Sequence, residues 1–308
     1  MTNTISAAKS STLFSGLGRM IGAEFLKLRK RSLTRVLVFI LAGIVALVNL
    51  LLLAVSKADL PARGTGQGMA NMSKLLGLSS AVPFTLSLIA SFGVVLAIIL
   101  AASSMGSEYN WKTIRTAIIS SESRFKFLTA KLISLGIMII TGMVIGVVVG
   151  IIMSFITNAI GGNTFDFSYL TGSYVWQQFL QFWRTFYTII PFALLGFTMS
   201  IVGRSAMPGI STGIGVVFLE SIITAFMRLV QTGQYSWIAK VPDYLLNANV
   251  QAITALNELP QGFGRMGGGV GATDTAPSVT HAYVTLGIYA LAFLVLAYYL
   301  FRKRDITG

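Results

Sequence analysis

Few side chains in this sequence are suited to covalent or metal chemistry. The chain has no Cys and a single His, His281. Disulfides, thiolate metal sites and clusters of His ligands are therefore excluded. No Ser–His–Asp set and no pair of carboxylates falls at one membrane depth of the fold predicted below, so we expect no catalytic site. His281 fits an interfacial position better than the role of a general base.

Nucleotide-binding patterns are weak or missing. Gly262, Gly264 and Gly267 match G-x-G-x-x-G, but they lie in a glycine-rich loop. A dinucleotide-binding fingerprint needs a strand before it and a helix after it. Gly is nowhere followed by Lys, so there is no Walker A motif in the sequence. We expect no cofactor on this chain, no enzymatic activity of its own and, if ATP drives it, ATP and Mg²⁺ in a partner subunit.

Two ionisable residues, Glu220 and Arg228, lie inside the apolar stretch 206–231. A charge at the bilayer centre costs about 2.5–3.5 kcal/mol on insertion scales. Arg228 is near the outer end and can snorkel to the interface. Glu220 is near the middle and must face protein or a water-filled cavity, with Arg184 as its candidate partner; a structural ion pair and a substrate contact both stay open. Asn49 is a further polar residue in an apolar run, and it could be a packing contact.

Long apolar helices must position these residues. About 20 helical residues, rising about 1.5 Å each, cross a hydrocarbon core of about 30 Å. The sequence is 54% hydrophobic and 11% charged, against about 25% charged in soluble domains. We predict an all-α, polytopic membrane protein with six transmembrane helices. The predicted spans cover residues 35–56, 82–104, 131–157, 185–202, 206–231 and 282–301.

The distribution of Lys and Arg predicts the orientation of these spans. With the N-terminus inside, 16 Lys and Arg residues fall on the inner side and 6 on the outer side. The positive-inside rule favours this arrangement. We therefore expect a multi-pass protein of the cytoplasmic membrane with both termini in the cytoplasm. The net charge of +13 is then a topology signal, and we expect no nucleic-acid partner.

The N-terminal region, 1–34, divides into two parts. Residues 1–12 are rich in Ser and Thr, and we expect them to be unstructured. Residues 13–31 have apolar side chains at helical spacing and a basic complement, which predicts an amphipathic helix lying in the membrane plane. The alternative is a cytoplasmic extension of the first span. The apolar positions are Phe14, Leu17, Ile21, Phe25 and Leu28.

The connecting segments and the glycines add further predictions. The highly charged link between spans two and three, 105–130, can form a short amphipathic helix. Outside, the aromatic-rich loop 163–187 indicates an interfacial helix leading into span four, and the longest loop, 232–281, has helical spacing in its first half. Small residues let helices approach closely, so a glycine ladder in span three predicts packing within one subunit or between subunits. The ladder is Gly142, Gly146 and Gly150.

Three segments resemble those of ABC-2 type permeases, the transmembrane subunits of bacterial ATP-binding cassette exporters. The stretch EYNWKTIR at 108–115, continued by SRFKFL at 123–128 and by Lys131 and Leu132, is similar to a family pattern that runs roughly E-x-x-x-G-T-[LI]-R and then P-[VI]-S-R-x-x-F-L-x-x-K-L. Ser121 and Glu122 stand in the region of the usual Pro. Lys112 stands where that pattern has Gly. The basic segment at 24–30 resembles the family's elbow helix before span one, and the ending FRKRDI at 301–306 resembles its usual terminus.

The resemblance implies a permease, in a bacterial cytoplasmic membrane, that pairs with a second permease chain, the same or different. Two cytoplasmic ATP-binding subunits would dock on this dimer. The segment 106–122 would be the coupling helix inserted into the ATPase, and the cargo would be an amphipathic peptide antibiotic, drug or lipid-like molecule. The implied coupling residues are Glu108, Trp111, Lys112, Thr113 and Arg115. The implied elbow residues are Glu24, Lys27 and Arg29.

Two other functions remain as alternatives. A secondary carrier or channel would need ionisable groups along a pathway, and Glu220 is the candidate for one. A membrane-embedded enzyme, or a non-transporting sensor or assembly subunit, is the other alternative, and the missing catalytic constellation argues against the enzyme.

Overall fold

The computed structural model describes residues 2–57, 77–110, 123–161, 166–230, 241, 243–257 and 277–303. Within these ranges every regular element is a helix, which confirms the predicted all-α class for this part of the chain. The elements, in chain order, are α1 (Thr2–Lys30), α2 (Ser32–Lys57), a 3₁₀ turn (Leu78–Ser80), α3 (Ala81–Leu88), a π turn (Ile89–Gly93), α4 (Val94–Asn110), α5 (Arg124–Gly161), α6 (Gly172–Gly203), α7 (Ala206–Val230), α8 (Leu246–Thr254) and α9 (Val279–Lys303).

Six helical segments are long and apolar enough to cross a membrane, which indicates a multi-pass membrane protein. They are α2, the composite segment Leu78–Asn110 (called span two below), α5, α6, α7 and α9. Large apolar side chains stand exposed along them; Phe39 of α2, for example, is 74% exposed. A contiguous apolar surface of this kind is unusual for a soluble monomer and ordinary for a surface that faces lipid.

Most of these helices extend beyond the apolar runs predicted from sequence. The clearest case is α6, where the aromatic segment predicted as an interfacial helix leading into span four forms one continuous helix with that span. Its 32 residues make a helix of about 48 Å, longer than a hydrocarbon core. Thr171 caps its first turn by accepting a hydrogen bond from the Tyr174 N–H (3.3 Å).

The loop that precedes α6 has its own polar contact. The N–H and the hydroxyl of Ser168 donate hydrogen bonds to the Asp166 carboxylate, and these bonds lower the pKa of that exposed group.

Span two and α6 form the centre of the helix assembly. Their most apolar windows are 61% and 67% buried, against 17–33% for the other four spans. The C-terminal half of span two, α4, packs against α6 and α7. The helices α1 and α2 pack mainly against α5. Gly209 and Gly213 let α7 approach its neighbours closely, because an added Cβ there would collide with Ser200 of α6 and Ile98 of α4. The helix α9 packs on α6 and α8.

The N-terminal helix is longer than the sequence pattern predicted. It begins at Thr2 and not after residue 12, so the expectation of an unstructured start is wrong. The helix ends at Lys30, and Arg31 separates it from α2. Leu28 and the Ile21 carbonyl both face α5: the Leu28 side chain is buried, and the Ser134 hydroxyl donates to the Ile21 carbonyl at 3.0 Å. The helix α1 is thus docked on the start of α5.

Candidate functional site

Five charged side chains meet where α1, span two and α5 come together. We call them the ion cluster: Glu24, Lys27, Arg31, Glu108 and Lys131. Glu24 and Lys27 come from α1, and Arg31 comes from the turn that follows it. Glu108 lies in the last turn of α4, and Lys131 lies in the second turn of α5. Three segments that are distant in sequence therefore share one charged site.

Glu108 is the centre of the ion cluster. Its Oε1 accepts a hydrogen bond from Lys27 Nζ at 2.6 Å and from Lys131 Nζ at 3.2 Å, and Arg31 Nη2 lies 3.6 Å away. Lys131 Nζ also donates to Glu24 Oε2 at 2.8 Å, and Lys27 Nζ donates to Glu24 Oε1 at 3.4 Å. The two acidic residues are thereby linked through two shared ammonium groups.

Burial makes this cluster different from a surface ion network. The side chain of Glu108 is 0% exposed and that of Lys131 is 1% exposed, whereas that of Lys27 is 40% exposed. Taking two opposite charges out of water costs several kcal/mol per ion before their attraction offsets it. Removing one partner of such a pair strongly destabilises the fold, because it leaves the other charge buried without its partner. The cluster therefore adds little net stability as a whole, but it makes this one arrangement of α1, α4 and α5 much more favourable than arrangements that separate the charges.

Local sequence explains how α1 reaches this site. Glu24, Lys27 and Arg31 follow one another at spacings of three and four residues, so they lie along one side of the helix and its terminal turn. The Arg31 guanidinium also donates through Nη1 to the Ser107 hydroxyl at 2.7 Å and to the Ser103 carbonyl at 3.4 Å. Ser103 and Ser107 are one turn apart on α4, so Arg31 clamps the end of that helix.

The opposite side of α4 is held by close packing. An added Cβ at Gly106 would fall on the backbone of Ser205 and Ala206, in the turn that joins α6 to α7. That turn contains Arg204 with a φ of 52°, in the left-handed region. Gly106 and Glu108 are two residues apart and so face different sides of the helix. The end of span two is therefore held between the ion cluster on one side and the α6–α7 turn on the other.

The structure places some of the predicted coupling and elbow residues together. Glu108, Glu24 and Lys27 meet in the ion cluster, although sequence reasoning had assigned them to two separate segments. Arg29 is exposed on the other side of α1. Trp111, Lys112, Thr113 and Arg115 lie outside the described residues, as do Gly262, Gly264 and Gly267 of the glycine loop.

Sequence reasoning missed Arg31 and Lys131 as members of the site. The sequence identifies Lys131 only as one of the inner-side charges and as part of the stretch that resembles the family pattern. A signal for it was present, because Glu108 and Lys131 flank the same short link and each borders an apolar run. Opposite charges at the ends of consecutive spans can pair across the link between them. The Lys131 ammonium also lies 5.2 Å from the Phe127 ring centroid, one helical turn earlier.

Glu220 has a structural role that the sequence did not reveal. Its Oε1 accepts from the Leu246 N–H at 3.0 Å and its Oε2 accepts from the Asn247 N–H at 2.7 Å. These are the first two N–H groups of α8, whose own N-cap residue, Leu245, provides no side-chain cap. A carboxylate is well suited to this position, since helix N-termini present free N–H donors and a partial positive charge.

The proposed pairing of Glu220 with Arg184 is therefore wrong. Arg184 Nη1 donates instead to the Leu256 carbonyl at 3.1 Å, two residues beyond the end of α8. Helix α8 thus has an acidic residue at its N-terminus and a basic residue near its C-terminus, an arrangement that complements the helix dipole. Asn49 is buried and donates to the Val45 carbonyl of its own helix at 2.8 Å, as expected for a packing residue.

Two of the three ladder glycines pack within the chain. An added Cβ at Gly150 would fall on the Thr85 side chain of span two, and one at Gly146 would lie 3.0 Å from Ile89 Cδ1. An added Cβ at Gly142 meets nothing within 4 Å. Gly142 lines an apolar cleft between α2, span two and α5. The described residues contain no group of three or more His, Asp or Glu side chains suited to a metal ion.

Comparisons with known proteins place most of the chain in one family. The family described as "Protein of unknown function (DUF2705)" matches residues 44–307, a range that includes Glu108 and Lys131. The chain is also similar to the Uncharacterized protein YhcI of Bacillus subtilis (strain 168), at 27% identity over 219 residues. That similarity covers 68% of this chain and 64% of the Bacillus protein, so the match spans less than two thirds of that relative. With most of its length matched, the chain belongs to the DUF2705 family.

Proposed function

We propose that this chain is the transmembrane permease subunit of an ABC-2 type exporter, driven by a separate ATP-binding subunit. The observation that carries the proposal is the ion cluster. Its buried charges join the end of span two to α1 and α5. The segment that resembles the coupling helix begins at this end of span two. A force applied to the link that follows Asn110 would thus act on three helices at once.

A coupling device of this kind needs rigidity at the point where force enters. The end of α4 is held by Glu108 on one side and by the backbone contact at Gly106 on the other. Packed helices held at both sides move as rigid bodies, and they do not bend locally. In this proposal α1 serves as the elbow helix, and residues 106–122 form the coupling segment that inserts into the ATPase. Two ATP-binding subunits carry ATP and Mg²⁺, and a second permease chain completes the pathway.

The cargo class follows from the surfaces that the spans present. Many large apolar side chains are exposed along the helices, and Glu220 is already bonded to the backbone of α8. A carrier driven by protons or ions needs a carboxylate that can exchange its partners. An amphipathic or lipid-like cargo needs only apolar surface with a few polar contacts. We therefore favour the exporter over the secondary carrier.

The test is to measure ATP hydrolysis by the purified full-length chain in lipid vesicles, alone and in complex with an ABC ATP-binding subunit from the same cell. We expect no hydrolysis by the chain alone. In the complex, we expect hydrolysis to rise above the rate of the ATP-binding subunit by itself.

Two variants link this activity to the proposed site. Glu108→Gln should lower the stimulated hydrolysis, and Lys303→Gln is the matched control because Lys303 is exposed at the far end of α9. Transport that continues without ATP and stops when the proton gradient collapses would contradict the proposal. So would a stimulated rate that is the same in Glu108→Gln as in the wild-type complex.

A further inference from the structure

An apolar cleft runs along α2, between that helix, span two and α5. It is half-open, encloses about 50 Å³ of empty space, and extends from Thr34 to Leu41 on α2. Seven residues of helix correspond to about 10 Å along the helix axis. On α5 the cleft passes Met138 and Gly142. An enclosed apolar cavity in a protein commonly stays dry, so an open one in a membrane is suited to a hydrocarbon chain.

One polar group lies at the end of this cleft. Among the described residues that line it, Thr34 is the one with a polar side chain, and the others are apolar or Gly. Thr34 is 2% exposed, and its hydroxyl has no hydrogen-bond partner. A Thr hydroxyl within a helix usually donates to the carbonyl one turn earlier, and a buried hydroxyl without a partner costs about 1–3 kcal/mol. A ligand atom that accepts from this hydroxyl would remove that cost.

The backbone of span two is irregular where it faces the cleft. The π turn Ile89–Gly93 interrupts the helix, and both of its end residues line the cleft. A π turn inserts one residue into a helix and often occurs next to a functional site. Gly142 leaves the cleft wide because it has no side chain, and an added Cβ there would enter open space.

Charge at the Thr34 end indicates which amphipathic molecule fits. Lys30 and Arg35 are exposed and lie within four residues of Thr34. Basic groups at the inner end of membrane helices attract the anionic headgroups of membrane lipids. A molecule with a hydrocarbon chain, ester oxygens and a phosphate would place each of these parts against a matching surface: the apolar cleft, the Thr34 hydroxyl and the basic residues.

We propose that this cleft is a binding site for one anionic phospholipid, with an acyl chain along α2 and an ester oxygen accepting from the Thr34 hydroxyl. The bound lipid would fill the space beside the π turn of span two and connect that turn to α2. This site is independent of any ATP-binding partner, so it does not rest on the proposed transport function.

The test uses the full-length chain purified in detergent and loaded with phosphatidylglycerol or phosphatidylcholine. Lipid retained per chain is measured by native mass spectrometry, and the unfolding midpoint is measured with and without lipid. Thr34→Val removes the hydroxyl and keeps the shape, and it should weaken phosphatidylglycerol binding about three- to tenfold. Gly142→Leu fills the cleft and should reduce retention by at least about tenfold. Gly136→Leu is the matched control, because Gly136 is on the same helix, has open space around it and does not line the cleft.

The unfolding midpoint separates this proposal from a purely structural role for Thr34. Without lipid, Thr34→Val should be as stable as the wild type or more stable, since it removes a hydroxyl that has no partner. With phosphatidylglycerol, the wild type should gain more stability than the variant.

Three results would overturn the proposal. They are equal retention of phosphatidylglycerol by wild type and Thr34→Val, equal retention of the two lipids by the wild type, and equal loss in Gly136→Leu and Gly142→Leu. Circular dichroism and gel filtration establish whether each variant is folded. If Gly142→Leu is not, Thr34→Val decides the outcome by itself.

Discussion

The carboxylate of Glu108 and the ammonium of Lys131 lie 3.2 Å apart, although 23 residues separate them in sequence. Both side chains are buried, and the pair joins the last turn of α4 to the second turn of α5. The intervening residues 111–122 lie outside the described part of the chain. Because the two ends of this link are fastened by one ion pair, a displacement of the link must act on both helices together.

Glu108→Gln should destabilise the chain strongly. The substitution removes the carboxylate charge shared by Lys27, Arg31 and Lys131, so that within the ion cluster Glu24 alone remains as the acidic partner of Lys27 and Lys131. Breaking a buried ion pair by removing one partner costs about 3–5 kcal/mol. We expect a lower unfolding midpoint in detergent, measured by intrinsic fluorescence, and faster proteolysis of α1.

A second substitution provides the control. Adding Lys131→Met to Glu108→Gln should restore part of the lost stability, because it removes a buried cation that the first change left with Glu24 as its one remaining acidic partner in the ion cluster. Additive losses in the double variant would show that the two side chains are not energetically coupled.

Glu220→Ala should loosen helix α8. The change leaves the Leu246 and Asn247 N–H groups without their acceptors, at about 1–3 kcal/mol per buried group. We expect faster hydrogen–deuterium exchange of the backbone amides in 246–254. Glu220→Gln keeps one acceptor oxygen and should have a smaller effect. Unchanged exchange in Glu220→Ala would show that the carboxylate does not hold this helix.

Gly150→Ala and Gly142→Ala should have opposite effects although both lie on α5. A methyl group at Gly150 would collide with Thr85, and such overpacking costs about 1–3 kcal/mol. A methyl group at Gly142 meets open space and should stabilise the helix by up to about 1 kcal/mol. The unfolding midpoints of the two variants measure the difference, and equal midpoints would contradict the packing described for Gly150.

The predicted topology can be tested with single Cys substitutions, because the natural sequence has no Cys. Lys57 and Lys303 are both exposed, and the positive-inside rule puts them on opposite sides of the membrane. A membrane-impermeant thiol reagent added to intact cells should label Lys57→Cys and should leave Lys303→Cys unlabelled until the cells are opened. The reverse pattern would invert the topology, and labelling of both positions in intact cells would rule out six alternating spans.

Several site assignments could not be derived from the sequence because they depend on contacts between distant segments. Glu220 was recognised as an intramembrane carboxylate, but its partners are backbone N–H groups of a short helix 26 residues later, which no side-chain pattern reports. The pairing with Arg184 failed for the same reason. The sequence predicts only part of the ion cluster. It indicates roles for Glu24, Lys27 and Glu108 in two separate segments, and it identifies Arg31 and Lys131 only as positive charges.

The sequence alone determined that the described part of the chain is helical, that it has six segments long and apolar enough to cross a membrane, and that the chain has no Cys and no cluster of His residues. These properties depend on local composition and on the length of apolar runs, which any single segment reveals. Only the tertiary structure decided which charges are buried together, which glycines touch a neighbouring helix, and where a cleft remains open. Those features depend on how helices distant in sequence pack against one another, and packing is a property of pairs of surfaces and not of one segment.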